Sequence, residues 1–224
     1  MTKKLFSSFG LLLAMNMTIV MFNAHSQDKV LEQNNPLTND DGVVINGVKW
    51  ATRNVAAPRT FAAKPEDAGM FYQSNCKIGW NIVDPLVNSN GEVEWDNTYP
   101  EGYIWEKAND PSPTGWRLPT YDEIRTLLDR NKVDNEWTML NGVKSRKFID
   151  KTTGNFLFLP AAGFRGYRDG VLDNSGYDGN DGYYWSSSTT GNSGCFMYFY
   201  SNDQGTVASN TLRPYGFLVR SVSE

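Results

Sequence analysis

GYYWSSSTTGNSGCFMYFYSNDQGTVASNTLRPYGFLVR, residues 182 to 220, decides how the rest of the chain is read. It opens on Tyr183-Tyr184-Trp185 and three serines, and it closes on Arg213, Gly216-Phe217 and Arg220. In its middle, Cys195 to Tyr200 reads CFMYFY. A strand alternates faces with a period of two. Cys195, Met197 and Phe199 then share one face, which suits a core, and Phe196, Tyr198 and Tyr200 share the other. The second set is either another buried face or an exposed stripe that stacks on a ligand. Small polar residues and turn formers surround it, at 188–194 and 202–211.

Upstream, Thr120 and Glu123 form a capping box, and Tyr121, Ile124, Leu127 and Leu128 fall on one helical face. The spacing predicts a helix over 121–130. Asp122 and Glu123 sit in its first turn, where capping and the helix dipole explain them better than a catalytic carboxylate pair. Asn46-Gly47, between Val43–Ile45 and Val48–Ala51, is a hairpin signal, because both central residues accept positive φ. Asn141-Gly142 is another. Short strands are expected at 70–73, 146–149 and 156–159. Residues 80–105 show no helical period and read as irregular structure around buried tryptophans; the alternative is a surface loop that stacks Trp95 and Trp105 on sugars.

Lys3 and Lys4, the apolar run to Phe22 and Ala24-His25-Ser26 have the form of a secretory signal over residues 1–26. Residues 27–42 are polar and read as a flexible arm, and one domain is expected over 43–224. Cleavage would remove the one histidine and two lysines, leaving 19 basic and 25 acidic residues. That charge excludes an ordinary nucleic-acid binder. Lys144, Arg146 and Lys147 form a small basic cluster that a solvated turn explains. No membrane span is expected after cleavage. Without a mature histidine there is no Ser-His or Cys-His nucleophile. Cys76 and Cys195 lie far apart and outside any CxxC, so a metal site is not indicated, and a disulfide stays open. The oxygen-rich run from Asp173 through Asp178 to Asp181 either holds a structural calcium or is a turn-rich loop. No other cofactor is expected.

Three pieces together resemble the Fibrobacter succinogenes major paralogous domain family of gut Bacteroidetes: Gly115-Trp116-Arg-Leu-Pro-Thr120, then Gly163-Phe-Arg165 with Gly182-Tyr-Tyr-Trp-Ser-Ser187, then Arg213-x-x-Gly216-Phe217-x-Val219-Arg220. The resemblance covers about residues 43–222. It implies an α+β fold of the formylglycine-generating-enzyme branch of the C-type lectin fold, with a small twisted antiparallel sheet, one helix and much irregular structure. It also implies a structural core containing Trp116, Trp185, Arg213, Gly216, Phe217 and Arg220. The late cysteine pair of that branch's oxidases is missing here, as are the Glu-Pro-Asn and Trp-Asn-Asp sugar motifs of C-type lectins. Oxidase activity and calcium-dependent sugar binding are therefore not expected.

The expectation is an exported, non-enzymatic binding domain, in the periplasm, on the outer cell surface or secreted, for a glycan or protein partner. Its candidate ligand residues are Thr189, Thr190, Asn192, Phe196, Tyr198, Tyr200, Asn202, Asp203, Ser209, Asn210 and Tyr215. Rings supply area at low entropy cost, and Ser, Thr and Asn supply adaptable hydrogen bonds. The alternatives are a structural pilus-tip or envelope subunit anchored by the arm, and a retroelement-diversified variable protein.

Overall fold

The computed structural model describes residues 36–100, 102, 104–174, 181–203 and 205–224. The chain forms two units, Met1–Asn39 and Asp40–Glu224. In the first, the described residues make a turn at Pro36–Thr38. The expected signal segment, 27–35 of the expected arm, and Asp178 lie outside the described residues. In the second unit the Asp40 carboxylate accepts from Gly42 N, Thr52 N and Oγ1, and Arg53 Nε. The ordered fold thus takes in Asp40, just upstream of the hairpin that marks its start in the sequence.

Its strands are β1 Val43–Ile45, β2 Val48–Trp50, β3 Phe71–Tyr72, β4 Gly79–Trp80 and β5 Trp116–Arg117. After helix α1, Tyr121–Leu127, come β6 Val133–Leu140, β7 Val143–Asp150, β8 Phe156–Pro160, β9 Phe164–Arg165 and β10 Leu172–Asp173. The last are β11 Gly182–Thr190, β12 Ser193–Phe199, β13 Thr206–Thr211 and β14 Val222–Ser223. They pair as five small antiparallel sheets: β1-β2-β14-β5, β3-β4, β6-β7-β8, β9-β10 and β11-β12-β13.

This overturns the α+β expectation. Among the described residues one seven-residue α-helix stands against fourteen strands, and the fold is β-rich. The capping box forms: Glu123 N reaches Thr120 Oγ1 at 3.2 Å, and Thr120 N reaches Glu123 Oε2 at 2.7 Å. The helix nevertheless stops at Leu127, short of the expected 130. The Asp129 carbonyl captures Lys132 N and Val133 N and turns the chain into β6. Both Asn-Gly hairpins form, with φ 46° and 84° at Asn46-Gly47 and 48° and 87° at Asn141-Gly142.

The C-terminal segment joins the sheets. Gly216 exchanges backbone hydrogen bonds with Arg165, and Phe217 with Tyr72. Leu218 accepts from Trp185 and donates to Tyr183; Val219 and Ser221 accept from Val55 and Ala51. Val222 then lies between Trp50 and Arg117. So Gly216 to Val222 touches five sequence-distant parts of the fold. Gly216 has to be glycine for steric reasons: a Cβ there would lie 2.9 Å from Trp95 Cη2 and 3.0 Å from Arg165 Cβ.

The β11-β12-β13 sheet is packed on both faces. Tyr184, Met197 and Phe199 join a cluster with Ile124, Leu127 and Phe148. Trp185 and Phe196 join a second cluster with Tyr72, Leu118, Phe217 and Val219. Each such side chain is worth about 1.5–3 kcal/mol when fully buried.

Buried arginines tie irregular loops to this frame, because a planar guanidinium satisfies several carbonyls at once. Fully buried Arg165 donates to the carbonyls of Asn81, Val83 and Gly170 at 2.8, 3.0 and 2.7 Å. Arg213 donates to the Gly102 carbonyl, and Arg220 to Asn54 Oδ1 and the Ala51 carbonyl. Trp185, Arg213, Gly216, Phe217 and Arg220 are buried; Trp116 is half-buried, edge-on to Phe61. Both cysteines are free.

A candidate aromatic recognition surface

Burial along β12 is graded. On the core face Cys195, Met197 and Phe199 are all buried. On the other face Phe196 is 8 % exposed, whereas Tyr198 and Tyr200 are half-buried. The stripe therefore descends into the second cluster at one end and rises to the surface at the other. Phe196 is a correction to the expected ligand contacts: its ring packs on Phe217 at 5.0 Å and lines the floor.

From Tyr198 the rings run on in an unbroken series. Tyr198 lies near-parallel to Tyr200 at 6.4 Å and to Tyr183 at 6.2 Å. Tyr183 meets Phe164 at 4.8 Å, Phe164 meets Tyr215 at 5.5 Å, and Tyr215 meets Tyr167 at 5.1 Å. All six of these side chains are half-buried. They come from β9, the turn after it, β11, β12 and the residue that follows it, and the C-terminal segment. Cross-strand pairing of Tyr183 with Tyr198 and bridging of Arg165 with Gly216 bring them together.

Sequence reading finds Tyr198, Tyr200 and Tyr215 but misses Phe164, Tyr167 and Tyr183. The period-two rule could have placed Tyr183 once the β11–β12 register was known. No local signal reveals that β9 lies beside residue 216.

The hydroxyls form the polar part of this surface. Burial, Asp181 and Asp173 push the Tyr183 hydroxyl up to about 12, so it is a protonated donor at neutral pH. The nearby Asp181 carboxyl is raised by burial and by Asp173. Asp181 is 6 % exposed, and its Oδ1 has no hydrogen-bond partner among the described residues. Arg168 Nε donates to the Tyr167 hydroxyl at 2.7 Å. Among the described residues no cluster of three His, Cys, Asp or Glu side chains could hold a metal ion.

The remaining expected ligand residues divide between two ends. Asn202 and Asp203 follow Tyr200 in the β12–β13 turn, beside the rings. Thr189, Thr190 and Asn192 lie at the far β11–β12 turn, where Thr190 pairs with Ser193. Ser209 and Asn210 lie toward that same end, since Thr211 pairs with Gly194. Five or six residues of strand, about 17–20 Å, separate the two groups.

A second concavity, an open cleft of about 650 Å³, runs between α1 and the start of β13. Asn46, Tyr121, Arg125, Leu128, Asp129 and Val207 line it. Of its β13 lining residues, Val207 pairs with Met197 of the core face and Thr206 pairs with Tyr198 of the ring series. The Asp122-Glu123 pair is split between two environments. Glu123 is engaged by both Arg117 nitrogens at 2.8 and 2.6 Å and by the N-cap, while Asp122 is exposed.

A family model described as a domain of unknown function (DUF8237) matches residues 130–222, which takes in β6 to the start of β14 and every ring of the surface. Neither the curated proteins nor the solved structures yield a match to the chain.

Proposed function

We propose that this chain is an exported, non-enzymatic binding domain that takes a glycan on the ring series Tyr200, Tyr198, Tyr183, Phe164, Tyr215 and Tyr167. The observation that carries this reading is the continuity of six half-buried rings over a packed floor. Sugars present C–H faces that pack on aromatic rings and hydroxyls that bond to tyrosine, Asn and Asp. Rings held by neighbouring rings lose little entropy on binding, which favours affinity. A protein partner would use the same rings as anchors. Among the described residues no helix is long and apolar enough to cross a membrane, which is compatible with a domain presented outside one.

The test is a glycan array probed with the purified chain, followed by calorimetry on any hit with Tyr198→Ala and Tyr215→Ala. Loss of about tenfold or more in affinity, with unchanged melting temperature, supports the ring surface. Glycan hits indifferent to both substitutions place binding elsewhere. An array without hits, together with capture of a surface protein that Tyr198→Ala abolishes, moves the partner class to protein.

A further inference from the structure

Arg146 sits in the basic cluster that the sequence explains as a solvated turn, yet it is only 3 % exposed. It projects from β7 toward the β12–β13 turn. One terminal nitrogen, Nη2, donates to the carbonyls of Tyr200 at 2.6 Å, Ser201 at 3.3 Å, and Asp203. The other, Nη1, donates to Asn135 Oδ1 at 2.9 Å, and the guanidinium lies over the Trp137 ring at 5.4 Å. Three backbone carbonyls from four successive residues converge on one positive group. Converging carbonyls of this kind are the usual way a loop wraps a calcium ion. Here the cation is covalently part of the protein.

We propose that Arg146 is a positioning residue of the recognition surface: its guanidinium orders the Tyr200–Asp203 turn in the manner of a bound metal ion, so that this end of the surface needs no divalent cation. The proposal rests on the reading that the rings beside the turn bind a ligand. The turn carries Tyr200, Asn202 and Asp203, one ring and two polar groups at the rim. Among the described residues, Asp203 N donates to the Tyr200 carbonyl at 3.1 Å, and Gly205 N to Asp203 Oδ1 at 3.2 Å. The guanidinium adds contacts to both carbonyls that bracket the turn. A lysine cannot reproduce this, because an ammonium is a point charge without a planar fork of donors.

Amide hydrogen exchange over 198–205 in the full chain, without ligand, tests the idea. Protection in the native chain should be unchanged by EDTA. In Arg146→Lys and Arg146→Ala the Asp203 amide should exchange about tenfold faster or more, while α1 amides keep their protection. Millimolar methylguanidinium should restore part of the protection in Arg146→Ala and none should come from the lysine. If EDTA accelerates exchange in the native chain, or if both variants stay fully protected, the proposal is overturned. Should Arg146→Ala also lose α1 protection, Arg146→Lys and the EDTA arm decide. An absence of glycan hits bears on the binding reading and leaves these exchange rates to be judged separately.

Discussion

Trp185 Nε1 donates to the Tyr72 carbonyl at 2.6 Å, tying β11 to β3 across 113 residues of chain. The same carbonyl accepts from Phe217 N at 3.0 Å, and the Phe217 ring lies 4.4 Å from the indole. One carbonyl thus holds three distant segments in register. Trp185→Ala is expected to cost about 3–5 kcal/mol, because it leaves a cavity in the second cluster. Trp185→Phe keeps more of the volume, and Tyr72 keeps its bond to Phe217, so about 1–3 kcal/mol is expected. Urea unfolding checks both; equal costs would mean that the ring volume Phe retains contributes nothing and that the lost Nε1 bond, common to both variants, accounts for the whole effect.

Gly216→Ala tests the crossing at the C-terminal segment. The added methyl would meet Trp95, Arg165 and Phe71 within 3.3 Å. Trp95 and Phe71 belong to packed layers, so the neighbours cannot yield cheaply, and about 1–3 kcal/mol of overpacking is expected. A variant as stable as the parent would show that Trp95 moves aside freely.

Acid stability has contributions of two signs. Burial draws the Glu123 carboxyl upward, but hydrogen bonds from Arg117 and the Thr120 backbone outweigh it and hold the group below its usual range. The Asp150 carboxyl is held low by Asn46 N and by the Thr152 and Thr153 amides. Both groups contribute stability that is complete above the unfolded value, about pH 4, and is lost as pH falls through their folded values. Asp181 is the reverse case. Its carboxyl is raised by burial and by Asp173, so its contribution is complete below about pH 4 and is lost as pH rises through the folded value. Asp181→Asn should therefore raise the melting temperature at pH 7 and have little effect at pH 3. A lower melting temperature at pH 7 would mean that the carboxylate is better satisfied than its surroundings indicate.

Substitutions at the far turn should leave ligand binding unchanged. Thr190 and Asn192 sit at the β11–β12 tip, opposite the half-buried rings. Thr190→Ala and Asn192→Ala are expected to change affinity less than about twofold, against about tenfold for Tyr198→Ala. Calorimetry on the same ligand would reverse the assignment if the tip variants lost more.

Reducing agent should not shift the melting temperature, because Cys76 and Cys195 are free. A disulfide closing so long a loop would contribute about 2–4 kcal/mol, which is easily seen in a melt with and without dithiothreitol.

Local rules settled what depends on neighbours in the chain. Asn46-Gly47 and Asn141-Gly142 specified their hairpins through positive φ, and Thr120 with Glu123 specified where α1 begins. Alternation placed Cys195, Met197 and Phe199 in the core. The helix end at 130 did not follow, since a carbonyl at Asp129 captured by the next strand has no signature in composition or period, and the α+β class gave way to fourteen strands against one short helix among the described residues. Only the tertiary structure decided which side of the Phe196-Tyr198-Tyr200 stripe is dry, because that depends on Phe217 and Trp185 covering one end alone. It alone turned Arg146 from a surface charge into a clamp and joined Phe164, Tyr167 and Tyr183 to the rings of β12. Periodicity assigns a residue to a face; what covers that face is set by segments up to a hundred or more positions away.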